Sequence, residues 1–436
     1  MSTLFVFDNE SNRTELWIDN NVIAIICEYV DNNKHILNFL STNKSLHSLK
    51  NMVKYPKNVN IQLIKNLSYF NQFVNINNYN LEKLPTNVKK ITFNYLYNKN
   101  INDVLPQNLT HLTFGYYFNQ DIKDMLPANL THLTFGKKFN QNIKDVLPLS
   151  LSHLTFGKKF NRDIKGALPP NLTHLTFGYY FNQDINDALP PNLSHLTFGY
   201  FFNQDIKKGT FPLTLTHLDL GCLFNKNIKD VMLLNLTHLT FGICFNQNIK
   251  DALPPNLTHL TFGYYFNQDI NDALPPTLTH LTFGNNFNRD IKGALPPNLT
   301  YLTFGNWFNQ DIKHALPSNL RHLTFGDNFN QDIKDVLPPN LTHLTFGDKF
   351  NQDIKDALPP NLRHLTFGNK FNRDIKNALP PNLTHLTFGY NFKQDIKNVL
   401  PLSLTHLTFK HPRLNFNTIK LENIVELTIG TTTITF

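Results

Sequence analysis

The chain has 436 residues and carries 40 Lys+Arg against 32 Asp+Glu, a net charge of +8 spread without any Lys/Arg run, which argues against a nucleic-acid-binding surface. Its 41% hydrophobic content can fill a core, its three cysteines (Cys27, Cys222, Cys244) are too few for a disulfide framework, and no segment approaches a membrane span. The first residues hold no basic stretch followed by an apolar one, so the expectation is an intracellular protein, cytoplasmic and without membrane association.

Residues 1–50 do not repeat. Leu16, Ile18, Val22, Ile25, Ile26, Tyr29, Val30, Ile36, Leu37 and Leu40 are spaced as short amphipathic helices, which alone reads as a cap sealing whatever stacks behind it. The order Leu16-Trp17-Ile18-Asp19, then Ile25-Ile26-Cys27-Glu28-Tyr29-Val30-Asp31, then Ile36-Leu37-Asn38-Phe39-Leu40-Ser41-Thr42-Asn43-Lys44 resembles an F-box. That resemblance implies a Skp1-like adaptor as partner, faced by Leu16, Ile18, Val22, Ile25, Ile26 and Tyr29. The segment departs from the family in Trp17, where proline is usual, and in lacking the closing Trp, so the plain cap stands as the alternative. Residues 51–83 read as a transition.

From residue 84 the chain repeats a 21-residue unit, L-P-x-N-L-T-H-L-T-F-G-x-x-F-N-Q-D-I-K-D-A. Near-identical copies centre on His111, His132, His153, His174, His195, His217, His238, His259, His280, Tyr301, His322, His343, His364, His385 and His406, fifteen in all. A weaker copy starts at Leu84 and another spans Asn423 to Gly430, the degenerate ends expected of capping coils. The array is therefore assigned to 84–409 and a C-terminal capping coil to 410–436. One extra residue, within Lys208-Gly209-Thr210-Phe211, must fall in a loop because the strands on either side keep their pattern.

Within a unit Leu109, Leu112 and Phe114 alternate with Thr113 as a half-buried strand does, and Phe118 and Ile122 supply further apolar positions. Gly115 follows the strand, where a positive φ is easiest for glycine, and Pro127 hands the chain on in an extended conformation. One coil cannot bury its own Leu and Phe, so neighbours must stack. The expected fold is a repeat solenoid with one parallel sheet of short strands in 21-residue coils, plus a small N-terminal α-helical segment.

Leu109-x-x-Leu112-x-Phe114 resembles the leucine-rich repeat, but the asparagine which that family places three residues beyond the third apolar position gives way to variable residues such as Tyr117. The asparagine sits instead in Phe118-Asn119-Gln120-x-Ile122, which resembles the FNIP repeat of social amoebae and of giant viruses of amoebae. This second resemblance covers 84–409 and implies a leucine-rich-repeat-like binding scaffold with no catalytic activity. Joined to an F-box, it implies the substrate-recognition subunit of a cullin-type ubiquitin ligase. A non-ligase scaffold whose N-terminus only caps the array is the alternative.

The histidine file from His111 to His406 invites a metal reading, but a flat ladder lacks the converging ligands a zinc site needs, so a stacked structural ladder is expected, broken at Tyr301. Asp121, Asp163, Asp184 and Asp205 share a column with Asn142, Asn227 and Asn248, an exchange that suits a hydrogen-bonding turn residue and not an acid, base or calcium ligand. No nucleophile elbow, metalloprotease helix or phosphate loop is present, so no enzyme activity, cofactor or metal is expected. Asn-Leu-Thr or Asn-Leu-Ser recurs from Asn108 to Asn382, and glycans on adjacent coils would collide. The chain is then outside the glycosylation machinery, or protected from it by fast folding.

The most variable column is the pair after glycine, which includes Tyr116-Tyr117, Tyr179-Tyr180, Tyr200-Phe201, Tyr264-Tyr265 and Trp307. Exposed aromatics are enriched at protein interfaces, which makes this edge the candidate surface for a target protein. Drift in an unconstrained loop is the competing reading.

Overall fold

The computed structural model describes residues 23, 27, 32–42, 46–47, 49–80, 83–101, 105–229, 231, 234–411 and 423–435. The chain is a parallel-sheet solenoid of about seventeen turns at 21-residue spacing, divided into two units, Met1–Tyr179 and Tyr180–Phe436.

In the first unit, helix α1 (Asn33–Leu40) starts at Asn32, whose side chain accepts a hydrogen bond from the Lys34 N–H, and it buries Ile36 and Leu40. Ile23 and Cys27 are buried as well. The adaptor-facing candidates Leu16, Ile18, Val22, Ile25, Ile26 and Tyr29 lie outside the described residues. The sheet begins before the recognisable repeat: β1 (Val59–Asn60) pairs in parallel with β2 (Asn75–Tyr79), and β2 with β3 (Lys90–Phe93) across a shift between Ile76 and Tyr79. The segment read as a transition thus already supplies strands. Its Ile61, Phe73, Ile76 and Tyr79 are buried, at spacings too irregular to register as a 21-residue copy. Strands β4 to β7 follow as His111–Thr113, His132–Thr134, His153–Thr155 and His174–Thr176.

The second unit continues the same design. Strands β8 to β16 are His195–Thr197, His217–Asp219, His238–Thr240, His259–Thr261, His280–Thr282, Tyr301–Thr303, His322–Thr324, His343–Thr345 and His364–Thr366. Then come β17 (His385–Phe388), β18 (His406–Phe409) and β19 (Glu426–Ile429), and finally β20 (Thr432–Thr435), which turns back antiparallel onto β19. Register is residue for residue, as in His259↔His280, Leu260↔Leu281 and Thr261↔Thr282. The central Leu of each strand points inward while its neighbours face out.

Each coil closes through three tight turns. Phe118 N–H donates to the Gly115 carbonyl at 3.2 Å, Met125 to Ile122 at 3.2 Å and Leu130 to Pro127 at 3.1 Å. Leu109, Leu112, Phe114, Phe118 and Ile122 are all within 3% of full burial. Inside the coil the Phe114 and Phe118 rings lie 3.8 Å apart, and between coils Phe118 stacks on Phe139 at 6.2 Å. Each such ring is worth roughly 1.5–3 kcal/mol of apolar burial, but only when a neighbouring coil covers it.

The glycine column serves a different purpose from the one expected. Gly115 and its equivalents are absent from the positive-φ residues apart from Gly221 (φ 73°), which follows the atypical Asp219, and Gly430 (φ 60°) of the last, degenerate coil. What they require is space: a Cβ on Gly136 would lie 1.7 Å from the Gly115 carbonyl oxygen, and one on Gly263 would lie 1.8 Å from that of Gly242. Neighbouring coils touch there backbone to backbone. The left-handed residue sits later in the unit, at Asp124 (φ 58°), Asp145, Gly166, Asp187, Asp251, Gly293, His314 and Asn377. Its column is filled almost wholly by Asp, Asn, Gly and His, the residues that tolerate that region best, so the composition of the column carries the signal for positive φ.

Candidate interaction surfaces

Three surfaces are built from these coils. The first is the outward face of the strands. Histidine rings stack coil on coil at 4.1 Å, with planes 14° apart for His111–His132 and 8° for His343–His364. Where Thr or Ser precedes a histidine, its hydroxyl orients the ring. Thr131 Oγ1 lies 3.1 Å from the Thr110 carbonyl and 2.9 Å from His132 Nδ1. A carbonyl only accepts, so the single hydroxyl hydrogen goes there, the imidazole donates through Nδ1–H, and Nε2 is the bare nitrogen. Burial first, and then neighbouring imidazoles, hold His217, His238 and His259 below their usual pKa of 6.5. Among the described residues no group of three or more His, Cys, Asp or Glu is placed to hold a metal ion. Tyr301, expected to break the ladder, continues it: its ring stacks 4.3 Å from His280 and 4.0 Å from His322. An aromatic ring of similar width replaces imidazole in the stack, although Thr300 then keeps only its bond to the Thr279 carbonyl.

The return side of the coil explains the F-N-Q-D signature. Asn140 N–H donates to Asn119 Oδ1 at 2.8 Å, and Gln141 Nε2 donates to the Asn119 carbonyl at 2.8 Å. Each asparagine therefore satisfies a backbone donor of the next coil where no strand is present to do so. Asp121 Oδ1 accepts from Lys123 N–H at 3.0 Å, and Asn142 does the same for Lys144 at 3.0 Å. One side-chain oxygen is all this turn uses, so Asp and Asn exchange freely.

The second surface is the pair after glycine. Its backbone is not free: Lys138 N–H donates to the Tyr116 carbonyl at 2.9 Å and Tyr265 to that of Ile243 at 2.9 Å. Only the side chains vary. Tyr117, Tyr179, Phe201, Tyr264, Tyr265 and Trp307 are exposed, Trp307 at 59%, while Tyr116, Tyr180 and Tyr200 are half-buried. Lys137 lies over the Tyr116 ring at 5.2 Å and Lys158 over Tyr179 at 4.4 Å. Within the second unit Tyr180 stacks on Phe201 at 5.3 Å and Tyr264 meets Tyr265 edge-on at 4.9 Å.

The third surface has no signature in the 21-residue consensus. Within the second unit, spacing between equivalent rings of two neighbouring coils grows from the outward face to the return side, from 4.1 Å for His322–His343 to 5.7 Å for Phe325–Phe346 and 6.2 Å for Phe329–Phe350. These coils fan, with the histidine face on the inside of the curve. Beside that face runs a groove of about 950 Å³ lined by Asn298, Asn319, Asn340, Asn361, Asn382, Thr342, Arg321 and Arg363 among others, with no acidic residue. The asparagines are anchored through Nδ2, as in Asn319 to the Pro297 carbonyl at 3.1 Å and Asn361 to that of Pro339 at 3.1 Å, a bond that does not use Oδ1. Arg321 and Arg363 stand where the repeat otherwise places Thr or Ser, and both are exposed. His343 keeps its Thr342 hydroxyl at 2.9 Å, whereas His364, behind Arg363, has a buried Nδ1 with no partner. Such a nitrogen costs about 1–3 kcal/mol. The two-residue departure was visible in the T-H column; the groove it borders depends on curvature that a linear pattern does not encode.

A family model, the FNIP Repeat, matches residues 78–117, 118–159 and 160–201 and, in overlapping windows, the stretch from 182 to 411. Among solved structures the chain is similar to CroV588, described as a novel circular LRR protein structure, at 44% identity over 85% of this chain with a TM-score of 0.73. The chain spans 61% of the length of that protein. It is also similar to YopM from Yersinia enterocolitica, at 24% identity over 76% of this chain and 75% of that one, with a TM-score of 0.49. No curated protein matches.

Proposed function

The chain belongs to the FNIP repeat family, and on that premise we propose that it is the substrate-recognition subunit of a cullin-type ubiquitin ligase. In this reading residues 1–50 dock a Skp1-like adaptor, the coils of 84–409 hold a target protein, and the complex acts in the cytoplasm. The coarser statement, a repeat-based protein–protein interaction scaffold, stands without the ligase. The observation that carries the binding half is the edge after glycine. There the backbone is pinned coil by coil, yet the side chains alone vary and expose Tyr117, Tyr264, Tyr265 and Trp307. Rigid aromatics on a fixed spacing make contact area at low entropic cost. The adaptor half is supported by the order of apolar residues from Leu16 to Leu40 and by the short helix α1 at its end. No helix among the described residues is long and apolar enough to cross a membrane.

Pull-down of purified Skp1-like adaptor by the full chain tests the reading. Capture is expected, and Ile25→Asp with Ile26→Asp should abolish it while leaving the circular dichroism of the coils unchanged. No capture by the unsubstituted chain removes the ligase and leaves the scaffold with a capped N-terminus.

A further inference from the structure

The groove beside the histidine ladder combines features that each narrow its ligand. Arg321 and Arg363 are exposed, and among the described residues neither guanidinium is ion-paired or hydrogen-bonded. No carboxylate lines the groove to neutralise them. Both occupy positions where Thr would have satisfied the imidazole that follows, and at His364 that bond is given up. A repeat that keeps a hydroxyl residue at this position to orient the imidazole, and abandons it twice, two coils apart, once leaving a buried nitrogen without a partner, has a use for the replacement.

We propose that this groove binds an extended acidic peptide segment with carboxylates three residues apart. Two coil steps separate the arginines, about 9.6 Å along the sheet at the usual strand spacing and somewhat less on this face, where each step between histidine rings is 4.1 Å. In a polyproline-II segment residues i and i+3 lie on one side about 9.3 Å apart, so one carboxylate meets each guanidinium in the paired geometry that Arg favours. The asparagine Oδ1 atoms form a row of acceptors for the backbone N–H groups of such a peptide. A nucleic-acid backbone has no N–H to give them, and two arginines neutralise too few phosphates to hold it at ordinary salt.

The inference rests on the scaffold reading only in taking the ligand to be a protein, and it concerns a surface other than the aromatic edge. Fluorescence anisotropy of a fluorescein-labelled peptide of Glu-Pro-Ala repeats, titrated with the full chain near physiological salt, is the direct test. Saturable binding is expected, weakened about tenfold or more in the Arg321→Thr, Arg363→Thr double variant, in line with loss of charge-assisted pairs. The double variant restores the repeat's own residue at each site and so preserves the fold. A Gln-Pro-Ala peptide should not bind, and Trp307→Ala should leave binding unchanged even if it abolishes capture at the edge. Equal binding by the double variant, no saturable binding by the unsubstituted chain, or equally tight and arginine-dependent binding of single-stranded oligothymidylate would each overturn the proposal.

Discussion

Replacing Gly263 by alanine adds one methyl group and should be among the most damaging single changes available to this chain. The new Cβ would sit 1.8 Å from the Gly242 carbonyl oxygen and 2.3 Å from its carbon, where ordinary contact begins near 3.4 Å. The two coils must part locally by about 1.6 Å, the difference of those values. Phe241 N–H to Thr261 O and Tyr265 N–H to Ile243 O, both 2.9 Å, bridge them on either side of the contact. Both would stretch past hydrogen-bonding range. Losing two bonds at about 1 kcal/mol each, together with part of the Phe245–Phe266 packing, amounts to roughly 3–5 kcal/mol. Gly293→Ala is the matched control. It carries φ 73° with nothing within 4 Å of the added carbon, so only the left-handed conformation is penalised, by about 1–2 kcal/mol. Urea titration followed by circular dichroism compares the two, read as midpoints because stacked repeats need not unfold in one step. If Gly263→Ala and Gly293→Ala shift the midpoint equally, the close backbone approach is not what the column demands.

Stability should fall as pH drops below about 6.5. The unfolded imidazoles protonate near that usual value, the folded ladder only at lower pH, so in between the unfolded chain binds more protons. A thermal midpoint that does not move between pH 7.5 and pH 5 contradicts this. Asn267→Ala should destabilise by roughly 1–3 kcal/mol, because the Asn288 N–H that donates to its Oδ1 at 3.0 Å is left without an acceptor; hydrogen exchange at Asn288 should accelerate correspondingly. Arg363→Thr should do the reverse and stabilise by about 1 kcal/mol, since it returns a hydroxyl to His364, measured as a raised urea midpoint.

The fold was open to reading because repetition turns one coil's ambiguity into a statistic. Leu112 as an inward strand residue is a weak inference alone and a strong one when every copy repeats it in register. The asparagine of F-N-Q was recognised by position, but its task of feeding the next coil's N–H emerged only once the coils were stacked. Glycine misled because two demands select the same residue: positive φ, which belongs to the Asp124 column, and contact with a neighbour's carbonyl, which belongs to Gly115. Only inter-coil geometry separates them. Strands β1 and β2 are not legible from the repeat because their coils depart from the 21-residue spacing. The aromatic pairs follow Gly115 and its equivalents, so their place after the strand is legible in the sequence, whereas the Arg321–Arg363 groove is lined by residues from several coils and is visible only once the coils are stacked.

The exact register of the ladders also shapes how the chain reaches its native state. A His-Leu-Thr strand that pairs with the copy 21 residues away finds nearly the same chemistry in the copy 42 residues away. Within each unit a collapsing chain therefore meets many skipped-coil pairings of similar local energy, the kind of frustration to which repeat proteins are prone. The departures from uniformity then acquire a kinetic meaning. The inserted residue around Gly209, the Asp219-Leu220 pair, the phenol of Tyr301 and the two arginines make particular coils distinguishable. They act as landmarks that penalise a slipped alignment, and erasing them to perfect the consensus would raise equilibrium stability while leaving the chain with more ways to fold incorrectly.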